Sequence, residues 1–169
     1  IRNRPVLSVP YATVLMSNRE LDDVEDWLRV AEQWLDATAD LAEPVPPGMA
    51  VDDEEFRRLP GLIAAYRAGH AYLLGDIPAT MTHAQQALDL VPVDDHVTRG
   101  AAAALLGLAF WASGDLEAAQ RHYATGLENL GQAGFHSDVI NVANTVAAIK
   151  MAQGRLRDAE RTLEQAMQH

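Results

Sequence analysis

Apolar residues recur along the chain at intervals of three and four positions, the spacing of one face of an α-helix. No stretch alternates apolar and polar residues between paired turn signals, as a β-hairpin would. Alanine is abundant, and aromatic residues make up only 6% of the chain. This pattern predicts an all-α protein.

The clearest internal period joins three glycines, Gly75, Gly114 and Gly154, which are 39 and 40 residues apart. The positions five, nine and twelve residues after each glycine are mostly small and apolar, and these offsets share one helical face. The position seven residues before each glycine is also small, as close helix crossing requires. Each unit is therefore predicted to be a helix, a turn whose glycine adopts a left-handed backbone, and a second helix.

A weaker unit precedes these three. Its turn, at residues 19–21, has no glycine, but Val24, Leu28 and Ala31 follow at comparable offsets. The predicted antiparallel helix pairs of a single domain over residues 1–169 are about 5–43, 60–92, 95–131 and 137–168. Because one pair cannot cover its own apolar stripe, we expect these four pairs to stack into an α-solenoid.

An acidic, proline-containing insert is predicted at about residues 43–58. Its composition is typical of a surface loop, and the alternative is a contact segment for a basic partner. The last helix keeps an apolar stripe that includes Leu156, Leu163 and Met167. We expect further repeats or a partner to continue the stack there. The absence of an initiator Met at the start suggests a fragment of a longer protein.

Composition narrows the range of functions. The 169 residues carry a net charge of −11, so the chain is expected to repel nucleic acids and anionic lipid surfaces. It has no cysteine, which excludes disulfides, thiolate zinc sites and cysteine nucleophiles. No apolar run is long enough to span a membrane, and no signal peptide is recognisable, so we expect a cytoplasmic location.

No catalytic or cofactor-binding pattern is visible. The six histidines do not pair with one another or with carboxylates at the spacing of a zinc-protease helix. No serine lies in a Gly-x-Ser-x-Gly turn, and no phosphate-binding loop is present. The sequence therefore predicts a protein that is not an enzyme and holds no metal or cofactor.

A binding groove is the stronger prediction. In stacked helix pairs the first helices line the concave side, so residues three, six to seven and ten positions before each turn are expected to face it. The predicted groove residues are Tyr72, Trp111, Leu108, Asn141, Asn144, Met151, Ala65 and Ala104. A floor of small residues, aromatic walls and two amides is typical of a site for a small molecule or a peptide.

Other roles for these residues stay open. Tyr72 and Trp111 are also compatible with filling space between helices, and Asn141 and Asn144 with an exposed surface. Lys150 is the single lysine, and no arginine lies on the inward stripe, so a clamp for a peptide carboxylate is not predicted. Neutral ligands, apolar or mildly polar, fit better, as does a helix from another subunit.

The unit of about 40 residues, with small residues at the crossing and a Gly-Asp-Leu turn followed by alanine, resembles the tetratricopeptide repeat. Residues 59–67, 99–119 and 144–159 resemble the repeat region of the large ATP-binding LuxR-type transcriptional regulators, the group of the maltose-regulon activator. The similarity spans essentially the whole chain. It implies a right-handed tetratricopeptide-like superhelix.

In that family the repeat region lies between a nucleotide-binding module and a helix-turn-helix, and it is taken to sense an inducer and govern self-association. The resemblance therefore implies a non-catalytic domain that binds a small-molecule effector or a protein partner. This chain has neither a phosphate loop nor a basic recognition helix, so ATP and DNA binding would belong to other parts of the parent. The alternative is a tetratricopeptide scaffold in another signalling protein.

Overall fold

The computed structural model describes residues 7–39 and 53–167, and within these ranges the secondary structure is entirely helical. Eight helices lie in this part of the chain: α1 Ser8–Asn18, α2 Val24–Ala39, α3 Asp53–Leu74, α4 Ile77–Leu90, α5 His96–Ala112, α6 Leu116–Gln132, α7 His136–Ala152 and α8 Leu156–Ala166. They form four successive pairs. Residues 5–6, 40–52 and 168, which the predicted boundaries include, lie outside the described residues.

The turns within the pairs confirm the role predicted for the glycines. Gly75, Gly114 and Gly154 have φ values of +80°, +85° and +75°, a region that residues with a Cβ rarely enter. Gly134, between α6 and α7, has φ +74°. In the first pair the corresponding position is Arg19, with φ 61°, the one non-glycine residue with positive φ among those described. All four pairs therefore turn at a left-handed residue.

Aspartates begin three of the helices. Asp76, Asp95 and Asp115 each accept the backbone N–H three residues later at 2.9–3.0 Å, which satisfies a donor that the first turn leaves free. Phe135 and Arg155 hold the same position before α7 and α8, without a side-chain cap. Capping therefore distinguishes the middle of the stack from its last pair.

The predicted core positions are buried. The positions five, nine and twelve after each turn are all buried except the half-buried Leu163: Thr80, Ala84, Ala87, Ala119, Tyr123, Gly126, Ala159 and Ala166. In the first pair Val24, Leu28 and Ala31 are fully buried. Gly107, seven residues before its turn, lies directly under the Tyr123 ring, and an added Cβ would come within 2.8 Å of that ring. Small residues therefore let paired helices approach closely.

The pairs stack with a curvature that follows from which helices touch. Each second helix packs against the first helix of the next pair, and in addition α1 contacts α3 and α3 contacts α5. Among the described residues no comparable contact joins successive second helices. Because α1, α3 and α5 lie closer together than the second helices of their pairs, they form the concave side of the first three pairs. The all-α solenoid prediction is confirmed.

Helix α3 begins earlier than expected. It starts at Asp53, so residues 53–58 of the predicted insert are helical, and Pro60 lies inside the helix. Leu59 is buried in the apolar core that α1, α2 and α3 share. The Phe56 ring meets the Trp34 ring of α2 edge to face at 5.7 Å. These apolar contacts stabilise the extra turns despite the backbone hydrogen bond that a proline removes.

An ion-pair network ties the first pair to the second. The Arg67 guanidinium on α3 donates to Glu32 at 2.8 Å and to Glu25 at 3.0 Å, both on α2. The Arg67 side chain is only 15% exposed. The network therefore helps to fix α1 and α2 against α3, which positions the site described next.

Candidate ligand groove

A cavity of about 470 Å³ lies between α1, α3 and α5, each of which is the first helix of its pair. We call it the concave cavity. It is lined by Thr13, Met16, Ser17, Leu62, Ala65, Tyr66, Gly69, Tyr72, Leu73, Val97, Thr98, Ala101 and Leu105. Its volume falls within the range of about 300–1,000 Å³ common for small-molecule sites.

Small residues open the cavity, and larger apolar residues border it. A Cβ built on Gly69 would have no atom within 4 Å, so the space above this helix position is empty of protein. Ala65 precedes it by one helical turn, and Ala101 faces the cavity from α5. Leu73 and Val97, 45% and 41% exposed, also line it. The result is an apolar depression that solvent reaches.

None of the residues that line the concave cavity carries a charge, in a chain with a net charge of −11. The nearby Arg67 side chain is held by Glu25 and Glu32 on α2. Lys150 donates from Nζ to Thr162 Oγ1 on α8 at 2.7 Å, and burial lowers the pKa of Lys150. The cavity therefore provides no cation for an anionic ligand.

Two of the predicted groove residues line the concave cavity. Tyr72 and Ala65 both face it from α3. Ala104 and Leu108, on α5, instead pack against the core cluster that α5, α6 and α7 share. Because these two side chains already have protein neighbours, the structure does not bring them together with Tyr72 and Ala65.

The other four predicted residues lie further along the stack. Trp111 is 41% exposed at the end of α5, and Met151 is 52% exposed at the end of α7. Asn141 and Asn144 are exposed on α7. None of the four lines the concave cavity. A single groove that contains all eight residues stays a prediction.

The predicted groove does not include the residues that α5 turns toward α3. A cavity between two neighbouring first helices is lined by the side of each helix that faces the other. Leu62 and Ala101 precede their turn glycines by 13 residues, the same interval as Asn141. Tyr66 and Leu105 both precede theirs by nine. The repeat register therefore held a usable signal for these positions.

A second cavity, of about 450 Å³, differs in chemistry. It lies against α1 and α2, where the Tyr11 and Trp27 rings meet edge to face at 4.7 Å. Asp23, Asp26 and Arg29 also line it, and Arg29 donates to Asp26 at 2.9 Å. Three of its seven lining residues are therefore charged, whereas none of those lining the concave cavity is.

The histidines of the described ranges do not assemble into a metal site. His96 Nδ1 lies 3.2 Å from Asn129 Oδ1, and His122 stacks flat on Phe110 with ring centroids 5.1 Å apart. Burial lowers the pKa of His122. Within residues 7–39 and 53–167 no group of three His, Asp or Glu side chains is placed to hold a metal ion. No helix in these ranges combines the length and apolar character needed to cross a bilayer.

Comparison with known families identifies the repeat type. Residues 61–169 match the model of the MalT-like TPR region, where TPR denotes the tetratricopeptide repeat. The match covers more than half of the chain, from Gly61 within α3 through α8, and leaves α1 and α2 outside. No curated protein matches the chain. With its stacked helix pairs and left-handed turns, the chain belongs to the MalT-like TPR-region family.

Proposed function

We propose that this chain is the sensor and self-association segment of a LuxR-type, ATP-dependent transcriptional regulator, and that it binds an effector or partner on its concave side. Membership of the MalT-like TPR-region family supports this proposal. Tetratricopeptide-like repeats generally mediate interactions, and regulators of this type carry nucleotide and DNA binding in other modules.

The observation that carries the proposal is the uncharged cavity on the concave side. It contacts three consecutive pairs through α1, α3 and α5. A ligand that fills it would favour the arrangement of the pairs that fits it best. Because a ligand shifts a conformational equilibrium by its differential affinity, such binding would bias the curvature of the stack. Self-association of the parent would respond to that curvature.

Blocking the cavity at Gly69 tests the proposal. Gly69→Trp would place a large ring in empty space, because no protein atom lies within 4 Å of the added Cβ. Gly131→Trp on α6 is the matched control, since its Cβ also has no atom within 4 Å and the residue does not line the cavity. The measurement is isothermal titration of candidate inducers into the full chain.

We expect Gly69→Trp to abolish binding and Gly131→Trp to retain it. Equal affinity in both variants would contradict the assignment of the site. Trp111→Ala and Asn144→Ala test the wider groove that the sequence predicts: reduced affinity in either would extend the site toward α7, and unchanged affinity in both would limit it to the concave cavity.

A protein-interaction scaffold in another signalling protein is the second candidate. Apolar side chains on the last pair favour it: Ile140, Met151 and Leu156 are 43%, 52% and 65% exposed. Exposed apolar surface of this kind marks interaction sites. The parent gene discriminates between the candidates. A phosphate-loop motif upstream and a helix-turn-helix downstream are expected for the regulator, and their absence would favour the scaffold.

A further inference from the structure

The hydrogen-bonding groups of the concave cavity limit the ligands it can hold. Five lining residues carry a hydroxyl, and three of these already donate their proton. Thr13 Oγ1 donates to the Val9 carbonyl at 3.2 Å, and Ser17 Oγ donates to the Thr13 carbonyl at 2.9 Å. Thr98 Oγ1 donates to Asp95 Oδ2 at 2.9 Å. These three hydroxyls therefore have no proton left for a ligand.

The two remaining hydroxyls are the phenols of Tyr66 and Tyr72. Among the described residues neither phenol has a hydrogen-bond partner, and both side chains are half-buried on the cavity wall. They stand six residues apart on α3, about 9 Å along the helix axis. The other lining side chains are aliphatic, methionine or glycine, and they carry no hydrogen-bond donor. The two phenols are therefore the only lining side chains with a proton left for a ligand.

We infer that the concave cavity selects an uncharged, mainly apolar small molecule that carries one or two hydroxyl or carbonyl groups, such as a medium-chain alcohol or ketone. This inference rests on the proposed function, because it names the ligand class of the same site. The cavity volume of about 470 Å³ suits such a molecule. The hydroxyl or carbonyl of the ligand would pair with Tyr66 or Tyr72.

Two other ligand classes are excluded by the same chemistry. A carboxylate would lose its hydration without gaining a cationic partner, because no lining residue is charged. A polyhydroxylated ligand would place most of its hydroxyls against apolar side chains, because only five lining residues carry a hydroxyl and three of these can only accept, and each unpaired polar group opposes burial. Neither class fits a wall of Leu62, Leu105 and Met16.

Titration calorimetry of the full chain tests this selectivity with three probes: 1-octanol, octanoate and sucrose. Octanol and octanoate share a chain length and differ in charge, whereas sucrose is neutral and polyhydroxylated. We expect octanol to bind at least tenfold more tightly than octanoate, and sucrose not to bind measurably. Octanoate or sucrose that binds as tightly as octanol would overturn the inference, as would the absence of octanol binding.

Variants place the binding within the cavity. Gly69→Trp is expected to abolish octanol binding and Gly131→Trp to leave it unchanged; octanol binding that survives Gly69→Trp would overturn the inference. Tyr66→Phe and Tyr72→Phe together are expected to weaken octanol at least fivefold. Tyr11→Phe is the control and should leave octanol binding unchanged, because the half-buried Tyr11 packs against Trp27 and does not line the concave cavity. Unchanged octanol affinity in the double variant would overturn the inference that the ligand pairs with Tyr66 or Tyr72.

The outcome separates this inference from the proposed function. If an anionic or polyhydroxylated inducer binds the wild-type chain and loses binding in Gly69→Trp, the site stands and the ligand class is wrong. If a partner helix binds there and octanol does not compete with it, the small-molecule assignment is likewise overturned. If inducers and octanol all bind equally to Gly69→Trp, both proposals fail.

Discussion

The concave face has two regions, one at α3 and one at α5 and α7, in which the same repeat pattern carries different side chains. On α3, the position six residues before the turn is Gly69, above which no protein atom lies within 4 Å. On α5 the same position is Leu108, which packs against the core shared with α6 and α7. On α7 the positions thirteen and ten before the turn are the exposed amides Asn141 and Asn144. One stretch encloses an apolar cavity, and the other presents a packed and partly polar surface.

This difference shows that a repeat unit alone does not make a site. The cavity depends on Gly69 of α3, on Ala101 and Leu105 of α5, and on the α1 residues that close it. Helix α1 lies outside the residues that match the family model. The first pair, with its Arg19 turn and the Arg67 network, therefore adapts a common stack to a particular shape.

The largest effect is expected from a glycine that, unlike Gly69, has no space above it. Gly107→Leu would force a side chain into the Tyr123 ring, which lies 2.8 Å from the position of an added Cβ. We expect a loss of about 3 kcal/mol in the free energy of unfolding, because overpacking displaces a buried ring. Urea denaturation measures it. A loss below about 1 kcal/mol would mean that the α5–α6 contact yields easily.

Removing the ion-pair network should weaken the attachment of the first pair. Glu25 and Glu32 are 38% and 45% exposed, so solvent screens the pairs, and we expect Arg67→Met to destabilise the chain by about 1–2 kcal/mol at pH 7. Arg121→Met is the control, because its pair with Glu117 is on the surface and outside this network. We expect a loss of about 0.5 kcal/mol or less there.

The same variant has a defined pH dependence. The hydrogen bond from Arg67 lowers the pKa of Glu32. A carboxylate whose pKa is lower in the folded state stabilises the fold above its unfolded pKa, and this contribution disappears as the pH falls through the folded pKa. The difference between wild type and Arg67→Met should therefore shrink from pH 7 to pH 3.5 in urea titrations. A difference that grows at low pH would contradict the assignment.

How much of this the sequence could predict depends on the residue. The turn glycines and the buried offsets were predictable, because left-handed backbone and close packing each demand a particular residue type. The start of α3 was not, since Pro60 and the acidic residues before it suggest a loop, and the contacts of Phe56 and Leu59 that stabilise the helix are tertiary. Tyr72 and Ala65, two of the predicted groove residues, line the concave cavity from α3.

The inclusion of Leu108 and Ala104 in the predicted groove has a geometric reason. The periodicity identifies one stripe per helix, and the predicted groove joins the stripes of successive helices into one continuous floor. On α5, however, Ala104 and Leu108 pack against α6 and α7, whereas Ala101 and Leu105 line the cavity. Sequence periodicity does not specify which neighbour each side of a helix will meet.

A smaller effect is expected at the start of α7. Phe135 has φ −85° and ψ 67°, close to the φ −84° and ψ 73° of Asp95, the cap of α5. Phe135→Asp should therefore accept a backbone N–H of α7 and stabilise the chain by about 1 kcal/mol. Thermal unfolding measures the gain, and Phe135→Ala separates capping from the loss of an exposed ring. Equal stability of the two variants would show that no cap forms.

The smallest effect is expected at Gly69 itself. Gly69→Ala adds a Cβ in open space within a helix, so it should stabilise the chain by about 0.5–1 kcal/mol through helix propensity alone. Gly131→Ala should give a similar gain for the same reason. Destabilisation by Gly69→Ala in chemical denaturation would show that the space above α3 is filled in solution.

Chemical-shift mapping with 1-octanol compares the two stretches of the concave face most directly. In a ¹⁵N-labelled full chain, we expect the largest backbone amide shifts on the cavity helices, at Ser17, Gly69 and Ala101. The backbone amide shifts of Asn141 and Asn144 should stay unchanged. Shifts centred on α7, with none at Gly69, would contradict this expectation.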